Sequence, residues 1–172
     1  MALFRHREER REDAVRYQMQ EKIFSVGDDY WIENDRGERV FKVDGKALRV
    51  RETMIIEDRN RVEMCKVQQK KLRVHETMEI ERGHHTLATV KKALIAPLRQ
   101  RYSVDVAGGP DLEVHGNIVD HEYRIEREGH QVAEVSKRWF RVRETYGIEI
   151  SAGQDDTLIL AVAACLDRMS RE

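Results

Sequence analysis

The longest uninterrupted apolar run of the chain is Leu158-Ile159-Leu160-Ala161-Val162-Ala163-Ala164-Cys165-Leu166. Asp155 and Asp156 precede this run, and Arg168 and Arg171 follow it. Acidic groups at the start and basic groups at the end match the dipole of a helix, so residues of about 155–169 are predicted to form an α-helix. The nine apolar residues are far fewer than the roughly 18 to 20 needed to cross a bilayer. The sequence therefore predicts a buried helix and not an integral membrane protein.

A helix that is apolar on every side must be enclosed by the rest of the protein. The preceding sequence offers strands, because apolar and charged residues alternate with a spacing of two. The alternation occurs at Val40 and Val43, Leu48 and Val50, Met78 and Ile80, Val104 and Val106, Tyr123 and Ile125, and Tyr146, Ile148 and Ile150. Turn signals such as Asp44-Gly45 and Glu128-Gly129 separate the strands at hairpin spacing. We therefore predict a mainly β protein, an antiparallel closed β-barrel of about twelve strands around a hydrophobic C-terminal helix, since closure also removes exposed sheet edges.

Internal repetition supports this fold. The phrase Arg-Val-Arg/His-Glu-Thr stands at residues 49–53, 73–77 and 141–145. A longer match joins Tyr30-Trp31-Ile32-Glu33, Gly37, Val40 and Val43 to Tyr123-Arg124-Ile125-Glu126, Gly129, Val132 and Val135. Such repetition indicates duplication of a structural unit. We predict two duplicated halves, at about 17–107 and 111–151.

The repeated phrase also creates a conflict. Strict alternation places Glu52, Glu76 and Glu144 on the apolar face, where an unpaired carboxylate costs several kcal/mol. Either the alternation breaks at a turn or bulge centred on Glu-Thr, or each Glu pairs with a neighbouring Arg.

Composition limits the class of protein. The 172 residues correspond to about one domain, and 31 basic against 32 acidic side chains give a net charge of −1. This balance removes bulk attraction to nucleic acid. Residues 1–14 form a charged leader without an apolar signal sequence. Cys65 and Cys165 lack the spacing of a disulfide framework or zinc site, so we expect buried thiols in a reducing compartment and a cytoplasmic protein.

Several motifs together resemble the LURP-one-related family. They are Tyr17-Gln18-Met19, Gly27-Asp28-Asp29-Tyr30, Val43-Asp44-Gly45-Lys46-Ala47-Leu48, Met78-Glu79-Ile80-Glu81, Gly108-Gly109-Pro110-Asp111-Leu112, Gly116-Asn117-Ile118-Val119-Asp120-His121, Val135-Ser136-Lys137-Arg138-Trp139-Phe140 and Gly153-Gln154-Asp155-Asp156. The resemblance covers about residues 15–170 and implies a twelve-stranded barrel threaded by a hydrophobic helix. Relatives of this family are the tubby C-terminal domain and the phospholipid scramblases. Tubby-type domains bind phosphoinositide headgroups through a basic surface, whereas the calcium-linked segment and lipid-inserting helix of scramblases have no evident counterpart here.

The basic clusters are the candidate site for an anionic headgroup. A tentative ligand set is Lys91, Lys92, Arg99, Arg101, Lys137, Arg138, Arg141 and Arg143, and the cluster Lys70-Lys71-Arg73 is a further basic stretch. The alternative is an ordinary solvated face, because nearby glutamates such as Glu79 and Glu134 neutralise much of the positive field.

No motif predicts catalysis or a cofactor. A phosphate-binding glycine loop, a nucleophile elbow, a CxxC pair and an HExxH sequence do not occur. The histidines His84, His85, His115, His121 and His130 do not have metal-ligand spacing, and Asp155-Asp156 is better explained by helix capping. We therefore predict a non-enzymatic module that binds anionic phospholipid headgroups, peripheral at the inner face of a membrane. The alternative is a protein-interaction scaffold whose binding face is a loop rim or an aromatic patch near Trp31 and Trp139.

Overall fold

The computed structural model describes residues 13–25, 27–70, 76–96 and 99–171. Most of the charged leader therefore lies outside the described residues. Within them the strands are β1 Val15–Gln20, β2 Tyr30–Asn34, β3 Arg39–Val43, β4 Met54–Glu57, β5 Glu63–Gln69, β6 Thr77–Arg82, β7 His85–Ala96, β8 Arg99–Val106, β9 Leu112–Asn117, β10 Glu122–Arg127, β11 His130–Ser136 and β12 Thr145–Ile150. The helices are α1 Gly45–Arg51 and α2 Asp156–Ser170, and Ile23–Ser25 forms a 3₁₀ turn.

The strands form a closed antiparallel barrel, as predicted. Each strand pairs with the next one along the chain, and β1 closes the barrel by pairing with β12 from Val15↔Ile150 to Gln20↔Thr145. In such a meander, successive connections alternate between the two ends of the barrel. The connections 44–53, 118–121 and 137–144, with the described parts of 21–29, share one end with the C-terminus of α2, and we call it the exit end. The connections that follow even-numbered strands lie at the opposite end.

Helix α2 fills the barrel. Leu160 and every residue from there to Leu166 have no exposed surface, which confirms the predicted enclosure. At its first turn the Asp155 carboxylate accepts from the Leu158 amide at 3.1 Å and from the Arg82 guanidinium at 2.9 and 3.1 Å. At its last turn the Lys92 ammonium donates to the Met169 carbonyl at 2.5 Å. A cation is stabilising there because the C-terminal end of a helix carries partial negative charge. Both ends of the helix are thus tied to the barrel wall.

The two cysteines are buried and unpaired, as predicted. Cys65 lies on β5 and faces α2, with its sulfur 3.7 Å from the Thr157 carbonyl oxygen. Burial raises the pKa of the Cys65 thiol to about 12. Because the thiolate is the reactive form, both thiols are expected to be inert in the folded protein.

The repeated structural unit is a bulged hairpin. The register shifts at Ile32/Glu33 in β2–β3, Ile56/Glu57 in β4–β5, Ile80/Glu81 in β6–β7 and Ile125/Glu126 in β10–β11. In each case the isoleucine is fully buried. A bulge bends a strand and increases its twist, which a barrel needs in order to close. The predicted halves contain eight and four strands respectively, and their origin by duplication stays a prediction.

The repeated phrase breaks the alternation, as the turn hypothesis expected. Glu52 and Glu144 adopt left-handed backbone angles, with φ of 50° and 58°. Both side chains thereby leave the apolar face, and the buried Thr53 and Thr145 lead into β4 and β12. Glu76 lies 3.7 Å from the Lys92 ammonium, so a lysine of β7 is one of its partners. Pairing with Arg73 lies outside the described residues.

The strand predicted at Leu48 and Val50 is wrong, because these residues lie in α1. The Asp44 carboxylate accepts from the Lys46 and Ala47 amides at 2.9 and 3.2 Å, so it caps a helix and does not open a hairpin. Leu48 is buried while Val50 is exposed, so the two side chains do not share one face as they would in a strand.

Gly45 gives a first prediction, because α1 begins against the backbone of residues 28 and 29. A β-carbon at Gly45 would lie 2.1 Å from the Asp28 carbonyl carbon. Because this contact is with the main chain, one of the two backbone segments would have to move. We expect Gly45→Ala to lower the free energy of unfolding by about 2 kcal/mol or more, measured by urea denaturation. Gly109→Ala is the control, since its nearest neighbour lies at 3.9 Å. Equal stability of both variants would contradict this close packing.

Candidate functional site

The connection between β11 and β12 holds four of the predicted ligand residues. We call residues 137–144 the basic loop. The Glu122 carboxylate fixes its start by accepting from the Ser136 hydroxyl at 3.0 Å and the Lys137 amide at 3.2 Å. The Thr145 hydroxyl fixes its end by donating to the Val142 carbonyl at 2.7 Å. Both ends of the loop that carries the basic side chains are therefore held in place by hydrogen bonds.

Two charges of this loop are free. Arg141 and Arg143 are exposed, and neither has a hydrogen bond or ion pair with the residues that the structure describes. Lys137, by contrast, pairs with Glu21 at 2.8 Å, and Arg138 lies 3.6 Å from Glu122. An unpaired guanidinium keeps its fork of donors available for a carboxylate or phosphate.

Burial alone raises the pKa of Glu21, but the hydrogen bond and charge of Lys137, with the charges of His121 and Arg171, outweigh it and hold that pKa below its usual range. Glu21 is thus ionised at neutral pH and neutralises Lys137. The net positive charge of the loop therefore comes mainly from its arginines.

The aromatic pair Trp139 and Phe140 anchors the loop to the barrel wall. A β-carbon at Gly147 of β12 would lie 2.9 Å from both rings, so only glycine leaves room for them there. The Arg16 guanidinium stacks 4.7 Å from the centre of the Trp139 ring. Trp31 lies on β2 with Arg39 over its ring at 5.6 Å. Both tryptophans are half-buried, so neither is a free aromatic anchor.

The remaining predicted ligand residues lie elsewhere. Lys91 on β7 pairs with Asp105, while Lys92 points over the end of α2. Arg101 is exposed on β8, and the Arg99 side chain lies outside the described residues. Strands β9 and β10 separate β8 from β11, so Arg101 and the basic loop lie on different parts of the barrel wall. Of the further basic stretch, Lys70 pairs with Glu79 at 3.1 Å, and 71 and 73 lie outside the described residues.

A buried polar network lies beneath the exit end, and the sequence reasoning missed it. Asp167 and His121 are each about 1% exposed, and the His121 Nε2 lies 2.7 Å from the Asp167 carboxylate. The same carboxylate accepts from the Lys22 amide at 2.7 Å and from Arg171 at 2.9 Å. The His121 ring stacks on Tyr146, with centres 4.3 Å apart. The network joins the last turn of α2 to two exit-end connections.

The pKa of Asp167 follows from these contacts. Burial raises it, but the hydrogen bonds and charges of His121 and Arg171 prevail and hold it below the usual range. Asp120-His121 and the polar Asp167 after an apolar run were visible in the sequence, but their pairing required the fold.

A groove on the outer wall of the barrel is lined by several acidic and histidine side chains, with Arg124 among them. It has a volume of about 740 Å³ and crosses the outer face of β9–β12, with Glu126, Glu134, His115 and His130 in its lining. His115 lies 3.2 Å from Glu113 and 3.5 Å from Glu126. Among the described residues no group of three histidine, cysteine or carboxylate side chains is arranged to hold a metal ion.

Comparison with known proteins agrees with the fold. The family model described as LURP-one-related matches residues 15–167. The crystal structure of a protein from Arabidopsis thaliana is similar over 92% of each chain, with a TM-score of 0.65 and 14% identity, which supports the fold alone. No curated protein gives a significant match. Within the described ranges, no helix has both the length and the apolar character to span a membrane.

Proposed function

The chain belongs to the LURP-one-related family, and from this premise we propose that it is a non-enzymatic module that binds anionic phospholipid headgroups at a membrane surface. The basic loop is the proposed binding element. Its main ligand residues are Arg141 and Arg143, with Arg138 and the Glu21-paired Lys137 beside them. The proposal places the protein at the cytoplasmic face of a membrane, where anionic lipids create a negative surface potential.

The observation that supports this proposal most is the pair of free arginines. Arg141 and Arg143 stand two residues apart, exposed and without an ion pair among the described residues. Three other cations of the described residues near the exit end are engaged: Lys91 with Asp105, Lys92 with the end of α2 and Lys137 with Glu21. Since phosphate oxygens accept bidentate hydrogen bonds from guanidinium groups, an anionic headgroup suits the free pair.

The attraction must be local, because acidic residues also lie at the exit end. Glu144 follows Arg143 directly, Asp120 lies on the neighbouring β9–β10 connection, and Glu52 lies farther around the same end, after α1. At physiological salt, exposed charges act over about 8 Å, so these carboxylates weaken the field without cancelling contacts made directly by the arginines. Binding is therefore expected to be modest and sensitive to salt.

The test is vesicle sedimentation of an Arg141→Ala/Arg143→Ala double variant. Each cation near an anionic bilayer contributes about 1 kcal/mol, so removing two is expected to weaken binding to phosphoinositide-containing vesicles roughly 30-fold. Binding of the parent protein should also fall as salt is raised.

Arg36→Ala/Arg61→Ala is the matched control, because both arginines are exposed in turns at the opposite end. Equal losses for the two double variants would reject the basic loop as the site. If the parent binds no anionic vesicle at low salt but retains a stoichiometric protein partner, the interaction scaffold replaces the lipid module.

A further inference from the structure

Large apolar side chains are exposed at few positions, and most of these share the exit end. Among the described residues, Val15, Val50, Val62, Val119 and Val142 are exposed. Val50 lies on α1 and is 68% exposed, Val119 lies between β9 and β10 at 62%, and Val142 lies in the basic loop at 53%. Val62, at 56%, belongs to the β4–β5 turn at the opposite end.

The repeated phrase explains two of these positions. The first and third copies precede the even-numbered strands β4 and β12, and in an antiparallel meander both connections lie at one end. The phrase places a valine between two basic residues: Val50 follows the exposed Arg49, and Val142 stands between Arg141 and Arg143. The middle copy lies mostly outside the described residues. The first and third copies thus place the same combination of a basic residue and a valine at the same end of the barrel.

Resting on the proposed function, we propose that the exit end docks on an anionic bilayer and inserts Val50, Val119 and Val142 into the headgroup region. Arg49 beside Val50, and Arg141 and Arg143 beside Val142, contact lipid phosphates. The three valine side chains are then buried between the headgroups and lose their contact with water. The barrel then stands with the C-terminus of α2 toward the membrane. A shallow apolar contact combined with electrostatic attraction is the physical basis of peripheral binding.

The spacing of the three valines favours a bilayer over a folded protein partner. α1 joins β3 to β4, Val119 lies between β9 and β10, and the basic loop joins β11 to β12, so the tips stand at separate points around the barrel. A protein interface has a contiguous buried core, whereas a planar lipid surface can receive separate tips at once. Arginines beside Val142 and Val50 also match the charge of anionic lipid.

The test separates insertion from headgroup recognition. The variant Val50→Ser/Val119→Ser/Val142→Ser is compared with Val62→Ser for sedimentation on vesicles of phosphatidylcholine with phosphatidylserine and a phosphoinositide. We expect about tenfold weaker vesicle binding for the triple variant and no change for the control. Binding of soluble inositol trisphosphate, measured by calorimetry, should be unchanged in both because the arginines are intact.

A polarity-sensitive dye on Val142→Cys and on Val62→Cys gives a second readout. Cys65 and Cys165 are fully buried, so the dye should attach to the introduced thiol. The emission should shift to the blue on vesicles for position 142 only. Unchanged vesicle binding by the triple variant, or no difference between the two dye positions, overturns insertion and leaves the proposed function standing. If the parent binds neither vesicles nor inositol trisphosphate, the proposed function fails, and the insertion proposal fails with it.

Discussion

Replacing Leu160 or Val162 of α2 with aspartate is expected to leave little folded protein. Both side chains have no exposed surface, and the barrel surrounds the helix on all sides. A carboxylate there without a partner costs several kcal/mol, which is a large part of the about 5 to 15 kcal/mol that stabilises an ordinary domain. Circular dichroism and urea denaturation of the purified variants measure the effect.

Two controls accompany this prediction. Lys91→Ala removes only a surface pair with Asp105, so its melting temperature should stay close to that of the parent. Val62→Asp introduces the same carboxylate at a side chain that is 56% exposed, and it should be nearly silent. Recovery of folded Leu160→Asp protein with an unchanged melting temperature would mean that α2 is not enclosed.

Asp167→Ala is expected to cost about 3 to 5 kcal/mol at neutral pH. The substitution removes the acceptor of His121, the Lys22 amide and Arg171, and it leaves buried donors without a partner. Because Asp167 ties the last turn of α2 to both neighbouring connections, the helix end should also exchange its amides faster. Urea denaturation gives the stability difference.

The cost of Asp167→Ala should depend on pH. The pKa of Asp167 is lowered in the folded protein, so its ionised form adds stability that is complete above the pKa of the unfolded chain, about 3.9. This contribution is lost as pH falls through the lower, folded pKa. The gap between parent and variant should therefore be widest near pH 7 and narrow at strongly acidic pH. Asp35→Ala, at an exposed turn, is the control and should show no such gap, while a gap that stays constant with pH would assign the loss to packing alone.

The barrel could be predicted because its signals are local and agree with each other. Alternation at pairs such as Tyr123 and Ile125 reports a strand, and the apolar run from Leu158 reports a helix that must be enclosed. Helix α1 was missed because Leu48 and Val50 also satisfy a spacing of two, and the cap from Asp44 prevailed over that pattern.

The candidate site was predictable only in part. The four cations from Lys137 to Arg143 are close in sequence, so the structure necessarily keeps them together on one loop. Whether a cation is free to bind a ligand depends on contacts between residues that are distant in sequence. Lys92 is not free, because it donates to the last turn of α2. The pair of Asp167 and His121 joins residues 46 positions apart, which no local pattern reports.

Amide hydrogen exchange along α2 tests the enclosed helix most directly. Amides from Leu160 to Leu166 have no exposed surface and sit inside a barrel with no free edge, so they should exchange only when the whole domain unfolds. The free energy of exchange of these amides should equal the global free energy of unfolding and should match that of the β12 amides. Exchange of these amides at the rate of the surface helix α1, while β12 stays protected, would contradict it.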